Sequence, residues 1–329
     1  MGFTPFPYDA TPAAEADLKT FLRTNSDIIA QHIEGVPWTE AAEGKPFHPK
    51  LMEDWQRRRR LTPPGAATYL AVSPGRGDLA PYRAQSEGLP LPAAFAGKSF
   101  DDPLVMRAYL AYCLRAVGYF HPNYLAIGIE VNEIRNASPS KWAAYAKLHR
   151  YVYGEVKRKY PKLPVLASFT LHNLYGPPPK TDALKAFQGL MDCNDLVAVS
   201  FYPFLGGHSG RIEQCFAWLQ SQFDRYRKPY AFVETGEAAE RLELPSAHVS
   251  IEGTPEKQRD YYARLLALAQ RRRFAFVITF LYRDYDALWE RIKATAPELF
   301  LAWRDCGLLD EAGRPRPAYV LWQRAFRRP

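Results

Sequence analysis

The sequence predicts a single (β/α)8 TIM barrel spanning residues 1–329, and three observations predict it. Short β-rich runs alternate with longer helix-like segments eight times along the chain. Most of those runs are continuously apolar, as strands of a parallel sheet covered on both faces must be. The length suits one large α/β barrel, and the first strand candidate runs into FTPFPYDAT, without the Gly-rich turn of an open dinucleotide-binding sheet.

The elements follow in order. The first strand is expected over Gly2–Pro7, with a helix opening at Thr11–Ala16, where Thr11 caps and Pro12 enters the first turn. The second strand is Asp27–Ile33, with a helix near Pro49–Arg60. The third is Ala67–Val72, followed by a Pro/Gly-rich excursion, Gly75–Gly97, and a helix at Asp101–Phe120. The fourth strand is Leu125–Val131, apolar apart from Glu130. The helix after it, Ser138–Tyr160, carries Trp142, Tyr145, Leu148 and Val152 at helical spacing. The fifth strand, Val165–Phe169, leads to a helix at Asp182–Met191. The sixth, Leu196–Phe201, leads to Ile212–Arg225. The seventh, Tyr230–Val233, leads through a long loop to Pro255–Arg273, and the eighth is Phe274–Phe280. No composition shift marks a linker.

Composition narrows the function classes. Hydrophobic residues make up 47% and charged residues 24%, which excludes a disordered or fibrous chain. The 43 Lys+Arg against 35 Asp+Glu leave a net charge of +8. The basic clusters Arg57–Arg60 and Arg271–Arg273 fall at the ends of helix-like segments, where cations favour the helix dipole and solvent, and no nucleic-acid motif accompanies them. No apolar run reaches the roughly 18 residues of a membrane helix. The four cysteines are far apart and form no CxxC pair, the seven histidines are scattered, and HExxH is absent. The expectation is no cofactor, no metal, no nucleic-acid partner and no membrane partner. GGHSG at 206–210 lacks the spacing of a nucleophile elbow. Asn136-Ala137-Ser138 matches a glycosylation sequon by pattern only.

In such a barrel the site lies at the C-terminal ends of the strands. The polar residues expected there include Tyr8 and Asp9; His32, Glu34 and Trp38; Arg76 and Asp78; Asn132 and Glu133; His172 and Asn173; Tyr202; Glu234; and Tyr282, Arg283, Asp284 and Asp286, with Trp289 beyond. Glu133 closes IGIEVNE and Glu234 closes AFVET, each directly after an apolar strand, where a carboxylate is costly without a partner or a task. Strands four and seven face each other across the mouth. Two carboxyls about 5–5.5 Å apart are the apparatus of a retaining glycosidase. Glu130 is expected on the other face of its strand, paired in the barrel wall, because side chains alternate. Glu237 is a rival of Glu234 but falls in the loop.

Asn132–Glu133 after strand four, with Glu234 after strand seven, resembles glycoside hydrolase clan A. VSFYPF at 199–204 resembles that clan's strand six, and CGLLDEAGRPRPAYVLW at 306–322 resembles its closing segment. VETG at 233–236 together with SFYPF is similar to the endo-β-1,4-galactanases of family 53. The resemblance implies a retaining (β/α)8 hydrolase acting on a carbohydrate. Glu133 would be the acid/base, neutral at rest, and Glu234 the nucleophile. Asn132 would bind the sugar 2-hydroxyl, and Tyr202 would hydrogen-bond the nucleophile. Clan members usually carry a Trp at the end of strand eight; here TFLYRDYDALW leaves that platform to Tyr282 or Trp289.

Further substrate contacts are expected from His32 and Glu34, from His172 and Asn173, and from Trp38, Phe204, Tyr282 and Trp289 as stacking surfaces. Packed aromatics, satisfied histidines and structural ion pairs are the alternatives for each. The excursion Gly75–Gly97 and the loop Glu237–Pro255 are expected to wall the cleft. The N-terminus MGFTPFPYD shows no signal segment, as a chain with its signal removed would also read; the compartment stays open, with secretion or periplasmic export after signal removal favoured over the cytoplasm. Two other readings stay open: a carbohydrate-binding barrel that has lost catalysis, and a barrel lyase or isomerase.

Overall fold

The computed structural model describes residues 1–327 apart from 85, 86, 89, 177–179 and 246–248. In chain order its strands are β1 (Gly2–Phe3), β2 (Ile28–Glu34), β3 (Ala67–Ser73), β4 (Arg83–Ala84), β5 (Glu87–Gly88), β6 (Tyr124–Ala126), β7 (Val165–Leu166), β8 (Ser168–Thr170), β9 (Val197–Phe201), β10 (Tyr230–Thr235), β11 (Arg241–Leu244), β12 (Val249–Glu252) and β13 (Val277–Thr279). Nine of them make one parallel sheet in the order β7-β6-β3-β2-β1-β13-β10-β9-β8. The outermost two, β7 and β8, are halves of one stave interrupted at Ala167. β7 pairs with β6 and β8 with β9, so the sheet closes on itself with eight staves. Asn194 patches the interruption, its side chain bonding both the N–H and the carbonyl of Ala167. The expected TIM barrel is therefore present, with its fifth stave in two pieces.

Alternation sorts the staves' side chains into two layers. Ile28, Ala30, Tyr69, Ala71, Ala126, Ala198, Ala231 and Ile278 fill the barrel interior. Ile29, Ile33, Leu70, Val72, Leu125, Val197 and Val199 face the helices. Four of the described helices start at a Ser, Thr or Asp cap followed by proline: α1 (Pro12–Asn25), α4 (Pro103–Phe120), α6 (Pro139–Lys159) and α9 (Pro255–Arg272). The Thr11, Asp102, Ser138 and Thr254 side chains accept from the first-turn amides. Each such cap is worth about 1 kcal/mol. The remaining helices are α2 (Trp38–Glu43), α3 (Pro49–Leu61), α5 (Asn132–Ala137), α7 (Thr181–Gln188), α8 (Ile212–Phe223), α10 (Asp286–Ile292) and α11 (Pro317–Phe326). Among the described residues, no helix is long and apolar enough to cross a membrane.

Three local departures from the sequence reading matter for the site. The fourth stave, β6, ends at Ala126 rather than Val131. From Ile127 the chain leaves the regular ladder, Glu130 takes a left-handed backbone (φ +52°), and α5 begins at Asn132. The loop after the seventh stave holds a hairpin, β11–β12, where RLEL and VSIE alternate apolar and polar. Finally, Arg57 and Arg58 are not merely solvated helix-end charges. Both pair with buried Asp54, and Arg58 donates to the His32 carbonyl at 2.9 Å.

Candidate active site

Glu234 owes its direction to a bulge. The β10–β9 register runs Phe232 opposite Val199, then Glu234 opposite Ser200, so two residues of β10 span one of β9. A bulge re-aims side chains beside it. Strict alternation from inward-facing Ala231 and Val233 would send Glu234 into the wall. The extra residue instead sets it beside inward-facing Ser200, at the C-terminal end of the barrel.

Two donors hold its carboxyl. His32 Nδ1 lies 2.9 Å from Oε2, and the Tyr202 hydroxyl donates to Oε1 at 2.5 Å. His32 follows Ile28 and Ala30 on the inward parity of β2, and Tyr202 stands one residue beyond β9. Burial alone would raise the Glu234 pKa. The His32 and Tyr202 contacts and the Arg76 charge outweigh it and hold the group below the usual carboxylate range, ionised. Tyr202 is pushed well above the usual phenol range, first by burial and then by Glu234, so it remains a donor.

Glu133 lies one turn further on than the sequence suggests, in the first turn of α5. Oε1 accepts from Asn132 at 2.9 Å, Thr170 at 2.6 Å and Asn173 at 2.9 Å, and Oε2 accepts from Asn136 at 3.3 Å. Burial works against its charge, but the Thr170, Asn173 and Asn136 donors win and lower its pKa. This corrects the expectation of a Glu133 that is neutral at rest: these donors favour the anion. Asn132 is fully buried, with its amide spent on Thr170 and Glu133. Its side-chain N–H groups go to Glu133 and Thr170, and its Oδ1 accepts from the Thr170 N–H.

Glu130 overturns the expectation of a residue paired in the wall on the far face. Alternation stops applying where β6 stops, and the left-handed turn swings the side chain toward the mouth. Its N–H donates to Ser168 Oγ at 3.0 Å, and its Oε2 lies 3.4 Å from Arg76. The Ser200 hydroxyl approaches it as a donor. Burial, then the negative charge of Glu234, then Glu133 push its pKa up. Arg76 and Ser200 offset part of this, and it settles at about 7.

The remaining expected contacts divide. Asn173 reaches Glu133, and Glu34 is exposed and pairs with Arg76 at 2.9 Å. His172 sits beneath Tyr202, its Nδ1 accepting from the Tyr202 N–H; burial first of all lowers its pKa to about 4, so the ring is neutral. Trp38 is buried, bonded through Nε1 to the Ala80 carbonyl and packed on Phe95 and Tyr109. Tyr282 is buried against Phe21 and donates to Asp17. Neither ring can be a sugar platform. Asp284 turns away to Arg316. Trp289 stays half-exposed, stacked on Phe300 at 6.3 Å.

Trp303 carries no strand-end pattern in the sequence. This half-buried ring meets Tyr202 edge-on at 6.1 Å and also borders Phe280. Its one signal was an aromatic in the FLAW stretch of the tail, far from any strand end. Of the two loops expected to wall the cleft, residues 85, 86, 89 and 246–248 lie outside the described residues.

No family model matches the chain, and no curated protein matches it in sequence. Solved structures do match in fold. A GH5_18 protein from Bifidobacterium longum subsp. infantis superposes with a TM-score of 0.66 at 16% identity, covering 99% of this chain and 77% of that one. Fungal β-1,4-galactanases give 0.60 at 15% identity, covering 93% and 90%. A GH5_18 variant from Streptomyces cattleya, in complex with Manβ1-4GlcNAc, gives 0.65 at 16%, covering 99% and 79%. The chain therefore shares the barrel of clan A glycoside hydrolases.

Proposed function

We propose that the chain is a glycoside hydrolase that cleaves β-glycosidic bonds of an oligo- or polysaccharide with retention. The observation that carries this reading is Glu234: an ionised carboxylate at the barrel mouth, fixed by His32 and Tyr202, with further carboxyls beyond the fourth stave. In a double displacement Glu234 attacks the anomeric carbon while a carboxylic acid protonates the departing oxygen. The loop after the fourth stave brings two candidates for that acid, Glu130 and Glu133. The shared fold supports the reaction class, and the disaccharide held by the Streptomyces neighbour supports a carbohydrate substrate. Trp303 fits a stacking surface for the sugar beside the nucleophile.

The test is a panel of aryl β-glycosides and β-linked polysaccharides, with the anomeric configuration of the first product followed by NMR. Release with retention supports the reading. Glycan binding measured by calorimetry, with no bond cleaved, would favour the non-catalytic barrel. Release with inversion would exclude Glu234 as a nucleophile.

A further inference from the structure

We infer that Glu130, rather than Glu133, is the general acid and base of this site, an inference that rests on the glycosidase reading above. Glu130 projects from the loop beyond β6, its Oε2 lies 3.4 Å from Arg76, and the Ser200 hydroxyl is near enough to its carboxyl to favour the charged form. Ser200 is the β9 residue directly opposite Glu234 in the strand register. The Glu130 carboxyl thus spans from the fourth stave to the sixth and stops beside the seventh-stave carboxylate. Glu133 instead spends both oxygens on Asn132, Thr170, Asn173 and Asn136.

The backbone points the same way. A left-handed conformation is costly for a residue with a Cβ, and such strain concentrates at functional sites. At Glu130 it is held by the neighbouring stave: the Glu130 N–H bonds to Ser168 Oγ, the Val131 N–H to the Ser168 carbonyl, and the Ser168 N–H to the Gly128 carbonyl. The side chain it aims is only 13% exposed, so its carboxyl is shielded from bulk water.

The charges around it also suit a proton carrier. Glu234 faces it from β10, Arg76 from the loop after β3, and Glu133 from α5. Two negative groups and burial retain the proton near neutral pH; one cation keeps the group titratable. In the first step the Glu130 O–H gives its proton to the glycosidic oxygen. The bond from C1 to that oxygen breaks, an alcohol leaves, and a Glu234 oxygen bonds C1 as an ester. Esterification removes the Glu234 charge, which eases Glu130's hold as an anion. In the second step the Glu130 carboxylate takes a proton from water, whose oxygen bonds C1 as the ester bond to Glu234 breaks. Both carboxyls return to their starting states, and one water is consumed.

The experiment compares Glu130→Gln, Glu133→Gln and wild type on 4-nitrophenyl and 2,4-dinitrophenyl β-glycosides of the gluco, galacto, manno and glucurono series. Glu130→Gln should lose on the order of 10²–10⁴-fold in kcat/KM on the poorer leaving group and far less on the better one. It should also lose the basic limb of the pH profile, and with azide it should give a β-glycosyl azide of retained configuration. That signature in Glu133→Gln, with Glu130→Gln close to wild type, overturns the inference while leaving the glycosidase intact. Failure of wild type on every substrate overturns the glycosidase reading instead. A second measurement needs no turnover: the 13C carboxyl shift of Glu130 should titrate near pH 7 and move to lower pH in Glu234→Gln. An ordinary carboxylate midpoint, unmoved by that change, overturns the inference.

Discussion

The Tyr202 hydroxyl donates to Glu234 Oε1 across the gap between the sixth and seventh staves. A hydrogen bond to a charged group is worth about 1.5–3 kcal/mol, or roughly 10–150-fold in a rate that depends on it. Tyr202→Phe should lower kcat/KM by that factor. Removing the donor destabilises the carboxylate, so the Glu234 pKa rises. The acidic limb of the pH–rate profile should therefore move to higher pH. A limb that stays in place would mean that Tyr202 is a packing residue only.

Glu234→Ala should abolish turnover, by a factor on the order of 10⁴ or more. Azide should restore it and yield the inverted α-glycosyl azide. Unchanged activity in this variant would remove Glu234 from the chemistry.

Trp303→Ala should raise KM or lower kcat/KM roughly tenfold, as expected for a lost aromatic stacking surface. Trp38→Phe should leave KM unchanged and act through stability alone, because that ring is buried under Phe95 and Tyr109. Steady-state kinetics beside thermal melts separate the two.

Glu237 carries a prediction about stability. Burial first of all raises its pKa to about 7, Ser209 donates to one oxygen at 2.6 Å, and the other oxygen is buried without a partner. Its folded pKa lies above its unfolded one, so the folded chain binds the proton more tightly. Its contribution is therefore fully present below the unfolded pKa near 4.5 and is lost as pH rises to about 7. The loss is on the order of 3 kcal/mol at pH 8. Melting temperature should fall across that window, and Glu237→Gln should flatten the fall.

The sequence made the long elements legible because their signals are redundant. Each of α1, α4, α6 and α9 has a polar cap, a proline and an apolar periodicity that agree. Glu234 was legible because it follows an apolar run, although the bulge that aims it was not. Glu130 departs from its expected place in the wall for a physical reason. Leu125–Val131 is apolar enough for a seven-residue strand, but the ladder stops at Ala126, and alternation is a rule only while a strand lasts. Beyond that point a single left-handed residue decides the direction. Trp303 was hidden because its contact with Tyr202 joins residues a hundred positions apart, which no local pattern records.

The interruption of the fifth stave at Ala167 bears on this loop directly. Ser168 resumes pairing with the sixth stave, yet its N–H, carbonyl and hydroxyl all serve residues 128–131 on the other side. An unbroken stave would have dictated a straight neighbour there. The discontinuity permits a curved one, and Ser168 becomes its three-point mount. Substitutions at this inconspicuous serine should thus disturb the aim of a carboxyl three staves away from the nucleophile, while the cylinder itself stands.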